Sequence, residues 1–418
     1  MTASDNAASE RVALRDLLGA VGAGLGTPLR PEWERAAWVV RRSAFVPERI
    51  YLGEELVPCD RGREPENWLR AVYGDHSVVT QINDGEDPGD REPGNGDPGG
   101  GERWASSSAS APGIVFRMLE MAEVTEGCRV LEIGTGTGWN AGLLAAVAGP
   151  GNVTSVEVDP ALAAEAGARL RREGLRVAVV AGDGAAGYAD HAPYDRLIAT
   201  CSVRSVPHPW LEQVRPGGIV LTPWESPWIC YGLLRLTVDD AGGAAGRFSP
   251  HSAFMLMRQQ RTDLRIFRDV VRDTHRPDGS TTALPPWRVT EDDLAARFAV
   301  GLLLRDVWWT WHDNPEVDGV ASRLWLATTD ATSWAAVDWD GTSDDHFAVW
   351  QYGPRRLWDE AEAAYAWWVR HDRPGPERFG LTVTATGQIP WLDHADRPVP
   401  VTGTGAAGAV TGTVTGAG

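Results

Sequence analysis

The stretch Leu131-Glu132-Ile133-Gly134-Thr135-Gly136-Thr137-Gly138 decides how the rest of this 418-residue chain is read. A short apolar strand over Arg129–Ile133 runs into three glycines on alternate positions, and Asn140–Ala148 then has the composition of a helix. Glycines at a strand-to-helix turn let the chain reverse tightly and let a ligand come close to the backbone. The spacing is not that of a dinucleotide fingerprint, GxGxxG. The position that would carry its third glycine is Trp139.

Downstream of this turn the pattern repeats. Asn152–Val158 predicts a second strand, and Asp159-Pro160 then starts a helix with a capping side chain and a proline in its first turn. Arg176–Val180, Tyr194–Thr200 and Gly218–Thr222 follow as three further strands. Strands alternating with helices build parallel βαβ units with right-handed crossovers, so the expected fold is α/β with a Rossmann-like sheet. Ligands in such sheets sit at the carboxyl ends of the strands. Tyr231–Val238 and Ala253–Met257 read as strands that finish the same sheet. Beyond a proline-containing boundary at Arg276–Pro286 come a helix at Glu291–Leu304, strands at Arg323–Ala327, Trp334–Trp339 and Phe347–Tyr352, a helix at Arg356–Arg370 and a strand at Phe379–Thr386. These predict an α+β accessory domain. Upstream, residues 10–83 read as mostly helical, with apolar residues at helical spacing in Trp33–Val40. The segment Asp84–Glu102 holds seven acidic residues, seven glycines and three prolines. It cannot bury a core and reads as a mobile linker, either a tolerated surface insertion or a lid. The expected organisation is therefore a helical region over 1–83, a linker over 84–103, a cofactor domain over 104–275, an accessory domain over 276–400 and a disordered tail over 401–418.

Composition removes several functions. The net charge of −18 repels phosphate backbones, so nucleic acid is not an expected partner. No run of about eighteen apolar residues predicts a membrane span, and the polar start Met1–Glu10 reads as no secretory signal. Cys59, Cys128, Cys201 and Cys230 form no CxxC pair, so no metal site or disulfide framework is expected, and a reducing cytoplasm fits. Twenty tryptophans are present, twelve of them from Trp287 to Trp391. They serve either as core filler or as a peptide-binding face.

The chemistry gathers at the strand ends. Glu132 stands just before the glycine turn. Glu157 ends the second strand, where a carboxylate can accept both hydroxyls of a ribose. Gly182-Asp183-Gly184 ends the third, where an acid can accept an adenine amino group. Each acid alone could be a solvated loop carboxylate, but three at successive strand ends favour a nucleoside cofactor. The GxGxG turn with Glu132 ahead of it resembles methyltransferase motif I, which implies S-adenosyl-L-methionine as cofactor and S-adenosyl-L-homocysteine as product. The candidate cofactor residues are Glu132, Gly134, Thr135, Gly136, Thr137, Gly138, Glu157, Val158, Gly182, Asp183, Gly184 and Thr200.

A more specific resemblance lies upstream. Ser108-Ala109-Ser110-Ala111-Pro112 resembles the element that precedes motif I in protein-L-isoaspartate carboxyl methyltransferases, and Arg129–Trp139, Val156–Leu162, Gly182–Tyr194 and Leu211–Gly218 match that family's motifs in order. Weaker similarity runs back through Phe45-Val46-Pro47 and Ala71–Asp75. The resemblance covers about residues 30–225. It implies Ser110 as the catalytic residue between methyl donor and acceptor carboxylate, with Ser108 and Ala109 beside it in the substrate site. Ser110 could equally cap the helix that follows. A carboxylate of pKa about 4 is already ionised at neutral pH and needs no general base. This agrees with the lack of an evident His–Asp or Cys–His pair, and His208 between Pro207 and Pro209 reads as a loop residue. The layout as a whole, with its acidic insertion and Trp-rich second half, resembles actinobacterial relatives that methylate an aspartate in a ribosomally made lanthipeptide or graspetide precursor, whose ester then collapses to an aspartimide or isoaspartate. Repair of isoaspartyl damage is the alternative activity, and a non-catalytic cofactor- or peptide-binding scaffold is a third reading.

Overall fold

The computed structural model describes residues 3–85, 103–250 and 253–403. The expectations for the acidic segment from residue 86 to 102 and for the tail from residue 404 onward lie outside the described residues. Among the described residues no helix is long and apolar enough to cross a membrane.

The chain opens with α1 (Ala3–Leu25) and α2 (Pro31–Val39). α2 has proline at its start, Glu32 and Glu34 in its first turn, and Trp33, Ala36 and Ala37 on its buried face. The expectation of a mostly helical region over 1–83 is corrected by a small sheet. β1 (Arg49–Leu52), β2 (Val57–Asp60), β3 (Val78–Ile82) and β4 (Ala105–Ala109) pair in the order β2-β1-β3-β4, with α3 (Pro65–Val72) inserted between β2 and β3. Each strand is only four or five residues long, too short for a period of two to stand out.

The main sheet grows from the glycine turn. After α4 (Pro112–Ala122) come β5 (Val130–Ile133), α5 (Trp139–Ala148), β6 (Val153–Glu157), α6 (Pro160–Arg172), β7 (Ala178–Ala181), β8 (Tyr194–Ala199), α7 (His208–Gln213) and β9 (Val214–Ser226). The parallel strands lie in the order β7-β6-β5-β8-β9, as the βαβ reading requires. β5 and β6 are buried along their whole length, so their sequences show no polar–apolar alternation; in β6 the buried set includes Thr154, Ser155 and Glu157. β10 (Ile229–Val238) and β11 (Ala244–Ser249) then add antiparallel strands beside β9. Ala253–Met257 is not a strand of this sheet. It is an extended segment joined to Ser202 by one parallel bridge at Leu256, with the Ser202 amide donating to Met255 O at 2.9 Å and the Met257 amide donating to Ser202 O at 2.9 Å.

The second half holds β12 (Asp278–Thr282), α8 (Trp287–Thr290), α9 (Leu294–Leu303), β13 (Val307–Asp313), β14 (Ser322–Thr328), β15 (Trp334–Trp339), β16 (Phe347–Tyr352) and α10 (Leu357–Arg370). Its antiparallel sheet runs β12-β16-β15-β14-β13. A boundary at residue 276 does not hold for the whole segment that follows. β17 (Phe379–Thr384) and β18 (Gly387–Leu392) return to the main sheet and pair beside β11, making it nine strands wide. The two halves share one core. Phe298 of α9 lies 5.7 Å from Trp224, 5.2 Å from Phe248 and 5.8 Å from Phe379, ring centre to ring centre. Burying each such ring contributes on the order of 2 kcal/mol. Five of the second half's twelve tryptophans are buried: Trp358 and Trp368 in this shared core, Trp325 and Trp334 in a separate cluster on the accessory sheet, and Trp391 on β18. Trp350, at 40% exposure, is at the other extreme.

Candidate functional site

At the carboxyl ends of β5, β6 and β8, the main sheet, the small sheet and the segment from residue 253 to 261 enclose a cavity of about 620 Å³. The glycine turn forms its floor. Gly134 sits at φ +93°, and a Cβ there would stand 2.7 Å from Thr200 Oγ1, so only glycine fits. Thr200 in turn donates its hydroxyl to Gly134 O and to Ile133 O. Gly138, the N-cap of α5 at φ +91°, packs against α6, with Ala166 Cβ 3.2 Å from where its own Cβ would lie. Glu157 is 6% exposed. Its Oε2 accepts the Gly136 amide at 2.8 Å and its Oε1 accepts the Asp159 amide at 3.1 Å. Each carboxylate oxygen keeps a second acceptor position, which suits a diol.

Of the candidate residues, Ser108, Ala109, Ser110, Gly134, Thr135, Gly136, Thr137, Glu157, Val158, Gly184 and Thr200 line this cavity. Glu132, Gly138, Gly182 and Asp183 stand outside its wall. Glu132 is fully buried behind the turn. It accepts from Asn140 Nδ2 at 2.7 Å and from the Ser155 hydroxyl, which lies 2.6 Å from Thr135 Oγ1. Burial pushes the Glu132 carboxyl up to about 7, against the pull of those two hydrogen bonds. Its role in the described residues is thus a strut under the turn. Gly182 donates its amide to Glu157 O at 2.9 Å and ties β6 to β7. Asp183 is exposed, and its Oδ1 caps the following turn by accepting the Ala185 amide at 2.9 Å. His208 begins α7 and does not lie in a loop. It stands 3.6 Å from Glu212 and does not line the cavity.

Across the cavity, β4 lies against the glycine turn, and Ser108 O is 3.8 Å from where a Cβ on Gly136 would be. Ser110 and Ala111 lead into α4. The N-cap of α4 is Ala111, which has no capping side chain, so the Ser110 hydroxyl is not committed to that task. Asp75 does the work instead, accepting the Gly113 amide at 2.6 Å. The wall that sequence reasoning missed comes from farther along the chain. Cys230, Tyr231 and the segment from Ala253 to Arg261 close the cavity. Arg258 and Arg261 both pair with Asp84, at 3.0 Å and 3.3 Å, and the Arg258 Nη2 donates to Gln81 Oε1 at 3.1 Å. The only local signal for this wall was the apolar run Phe254–Met257.

Comparison with known proteins agrees with this geometry. Residues 103–229 match the family model described as protein-L-isoaspartate(D-aspartate) O-methyltransferase. A protein-L-isoaspartate O-methyltransferase of Pyrococcus horikoshii is 40% identical over 139 residues, 33% of this chain and 63% of that relative. One from Ignicoccus hospitalis is 43% identical over 123 residues, 29% of this chain and 58% of the relative. The match therefore spans less than two thirds of these relatives' length. A solved protein-L-isoaspartate O-methyltransferase superposes over 91% of this chain and 100% of its own, with a TM-score of 0.51 at 21% identity, a likeness of fold. Residues 103–229 are thus the part of this chain that matches the protein-L-isoaspartate O-methyltransferase family.

Proposed function

We propose that this chain transfers a methyl group from S-adenosylmethionine to the free carboxylate of an isoaspartyl residue in a peptide or protein. One observation carries the proposal: the Ser110 segment and the Gly134–Thr137 turn form walls of one cavity. The residues present fit the cofactor. The turn leaves no side chain at Gly134 or Gly136 to obstruct it, and Glu157 can take a ribose diol. When bound, the sulfonium supplies an electrophilic methyl group. The chain's own contribution is placement. The acceptor carboxylate is ionised at neutral pH without a base. A hydroxyl at Ser110 can hold one carboxylate oxygen and leave the other directed at the methyl, and such orientation is worth several kcal/mol of barrier.

The names of the relatives support isoaspartate as acceptor over the aspartate of a ribosomally made precursor. The precursor reading keeps one observation in its favour. Trp350 of the accessory sheet and Phe267 of the turn packed against it, 40% and 58% exposed, offer aromatic surface that recognition of a single isoaspartyl site does not need. Purified chain supplied with methyl-labelled cofactor, a synthetic isoaspartyl peptide and its aspartyl twin tests both. Base-labile label on the isoaspartyl peptide is expected. Label on neither, with S-adenosylhomocysteine binding intact, would refute carboxyl transfer to simple peptides.

A further inference from the structure

We infer that Arg42 positions Ser110 for methyl transfer by clamping the main chain at Ser110 itself and the residue before it. The inference rests on the acceptor role proposed above for Ser110. Arg42 is 1% exposed. Its Nη2 donates to Ala109 O at 3.0 Å and to Ser110 O at 2.8 Å, with a longer contact of 3.4 Å to His76 O. Its Nη1 donates to Val72 O at 2.5 Å and reaches Gly74 O at 3.4 Å. The guanidinium lies 5.3 Å from the ring centre of Trp139, the residue that follows the glycine turn. One side chain therefore touches the end of α3, the turn that leads into β3, the Ser110 segment and the first residue of α5.

The way this charge is satisfied is what points to placement. Among the described residues the hydrogen-bond acceptors of its guanidinium are all backbone carbonyls and none is a carboxylate, and burial draws the group down to about 10, still protonated at neutral pH. Burying a cation among carbonyl dipoles is a poor way to gain stability, because its desolvation is so costly. What the arrangement does provide is direction. A planar fork reaches carbonyls on two segments at fixed angles, which an ammonium cannot do. Asp75 fixes the far side of the same segment through the Gly113 amide. Ser110 is thus held between two locks, and Arg42 is the one that also contacts the cofactor turn's helix.

The test compares Arg42→Lys, Ser110→Ala and the double variant in the full chain. It measures kcat and KM on a synthetic isoaspartyl peptide and S-adenosylhomocysteine affinity by calorimetry. Arg42→Lys should lower kcat by roughly 10²-fold, the scale of an ångström-sized misplacement, while cofactor affinity stays within about twofold. The double variant should be no slower than Ser110→Ala alone. Arg42→Lys at full kcat, equal losses of kcat and cofactor affinity, or additive losses in the double variant would each overturn the inference while leaving Ser110 in place. Full turnover by Ser110→Ala would remove the reading on which the inference stands. If Arg42→Lys does not fold, Arg42→Gln, which buries no charge and keeps a donor, is held to the same outcomes.

Discussion

Replacing Glu132 with Gln tests the strut beneath the glycine turn, and its magnitude follows from the structure. The carboxyl is fully buried, and loss of hydration raises it from 4.5 to about 7 even though Ser155 and Asn140 donate to it. In the unfolded chain the group titrates at its ordinary value. Between those two pH values the native state binds more protons than the unfolded state, so stability falls as pH climbs from about 4.5, and the full loss is reached once pH has passed about 7. A displacement of that size is worth about 3 kcal/mol. Glutamine fits the same space. Its carbonyl can accept from Asn140 Nδ2 and its amide can donate to Ser155 Oγ, whose proton then turns to Thr135 Oγ1 at 2.6 Å. The variant therefore keeps the strut and loses the titration. Urea unfolding of both proteins should show the stability difference moving in favour of Glu132→Gln by about 2–3 kcal/mol between pH 5 and pH 8. An identical difference at both pH values would refute the claim that this acid is held out of water in a raised state.

Glu157→Ala should lower S-adenosylhomocysteine affinity by about ten- to a hundredfold, since hydrogen bonds to a charged acceptor are worth about 1.5–3 kcal/mol. A calorimetric titration within twofold of wild type would exclude Glu157 from the cofactor site. Ending the chain after Gly375 should give aggregated protein or a Tm at least about 5 °C lower, because it uncovers the edge of β11 and takes Phe379 away from Phe298. A soluble product with an unchanged Tm would show that β17 and β18 are dispensable. Trp350→Ala combined with Phe267→Ala should cost no more than about 1 kcal/mol, as both rings are well exposed. If the accessory sheet receives peptide, KM for a long peptide should rise several-fold while that for a short isoaspartyl peptide is unchanged. Equal KM values for this double variant and wild type on both peptides would remove this face from recognition.

The parts of the molecule that were legible in the sequence are those whose cause is local. β5, β6 and β8 are short, carry apolar residues such as Val130, Leu131, Val153, Val156, Leu197 and Ile198, and are bounded by Gly, Asp or Pro, so each shows as a short strand with a stop beside it. The glycine turn, Glu157 and Ser110 were legible for a related reason, because backbone geometry and ligand chemistry meet within a few residues. β4 was not, since Ala-Ser-Ser-Ser-Ala has no apolar alternation and its partner β3 lies on the other side of the acidic insertion. β13, with Trp308, Trp309 and Trp311 packed on both faces of its sheet, likewise shows no period of two. Arg42 and the wall from Ala253 to Arg261 reach the site through space, and nothing within their own stretches announces a ligand.

The same through-space logic explains why the second half is not a detachable reader added to a finished enzyme. Arg261 lines the cavity, and only five residues later Ile266 begins a single π-turn, Ile266–Val270, whose Ile266 and Val270 are buried with Trp325 and Trp334 on the accessory sheet. Phe267 between them lies 5.5 Å from the Trp325 ring. A stretch of five residues spans at most about 18 Å, so the position of that anchor restricts where the cavity wall can lie. β17 and β18 make the reciprocal contribution, since they come from the second half of the sequence and complete the sheet that carries the cofactor turn. Removing residues after 276 would therefore disturb the cavity whether or not the tryptophans touch a peptide. The recognition question can only be put to exposed side chains such as Trp350 and Phe267, where surface can be altered and the wall left standing.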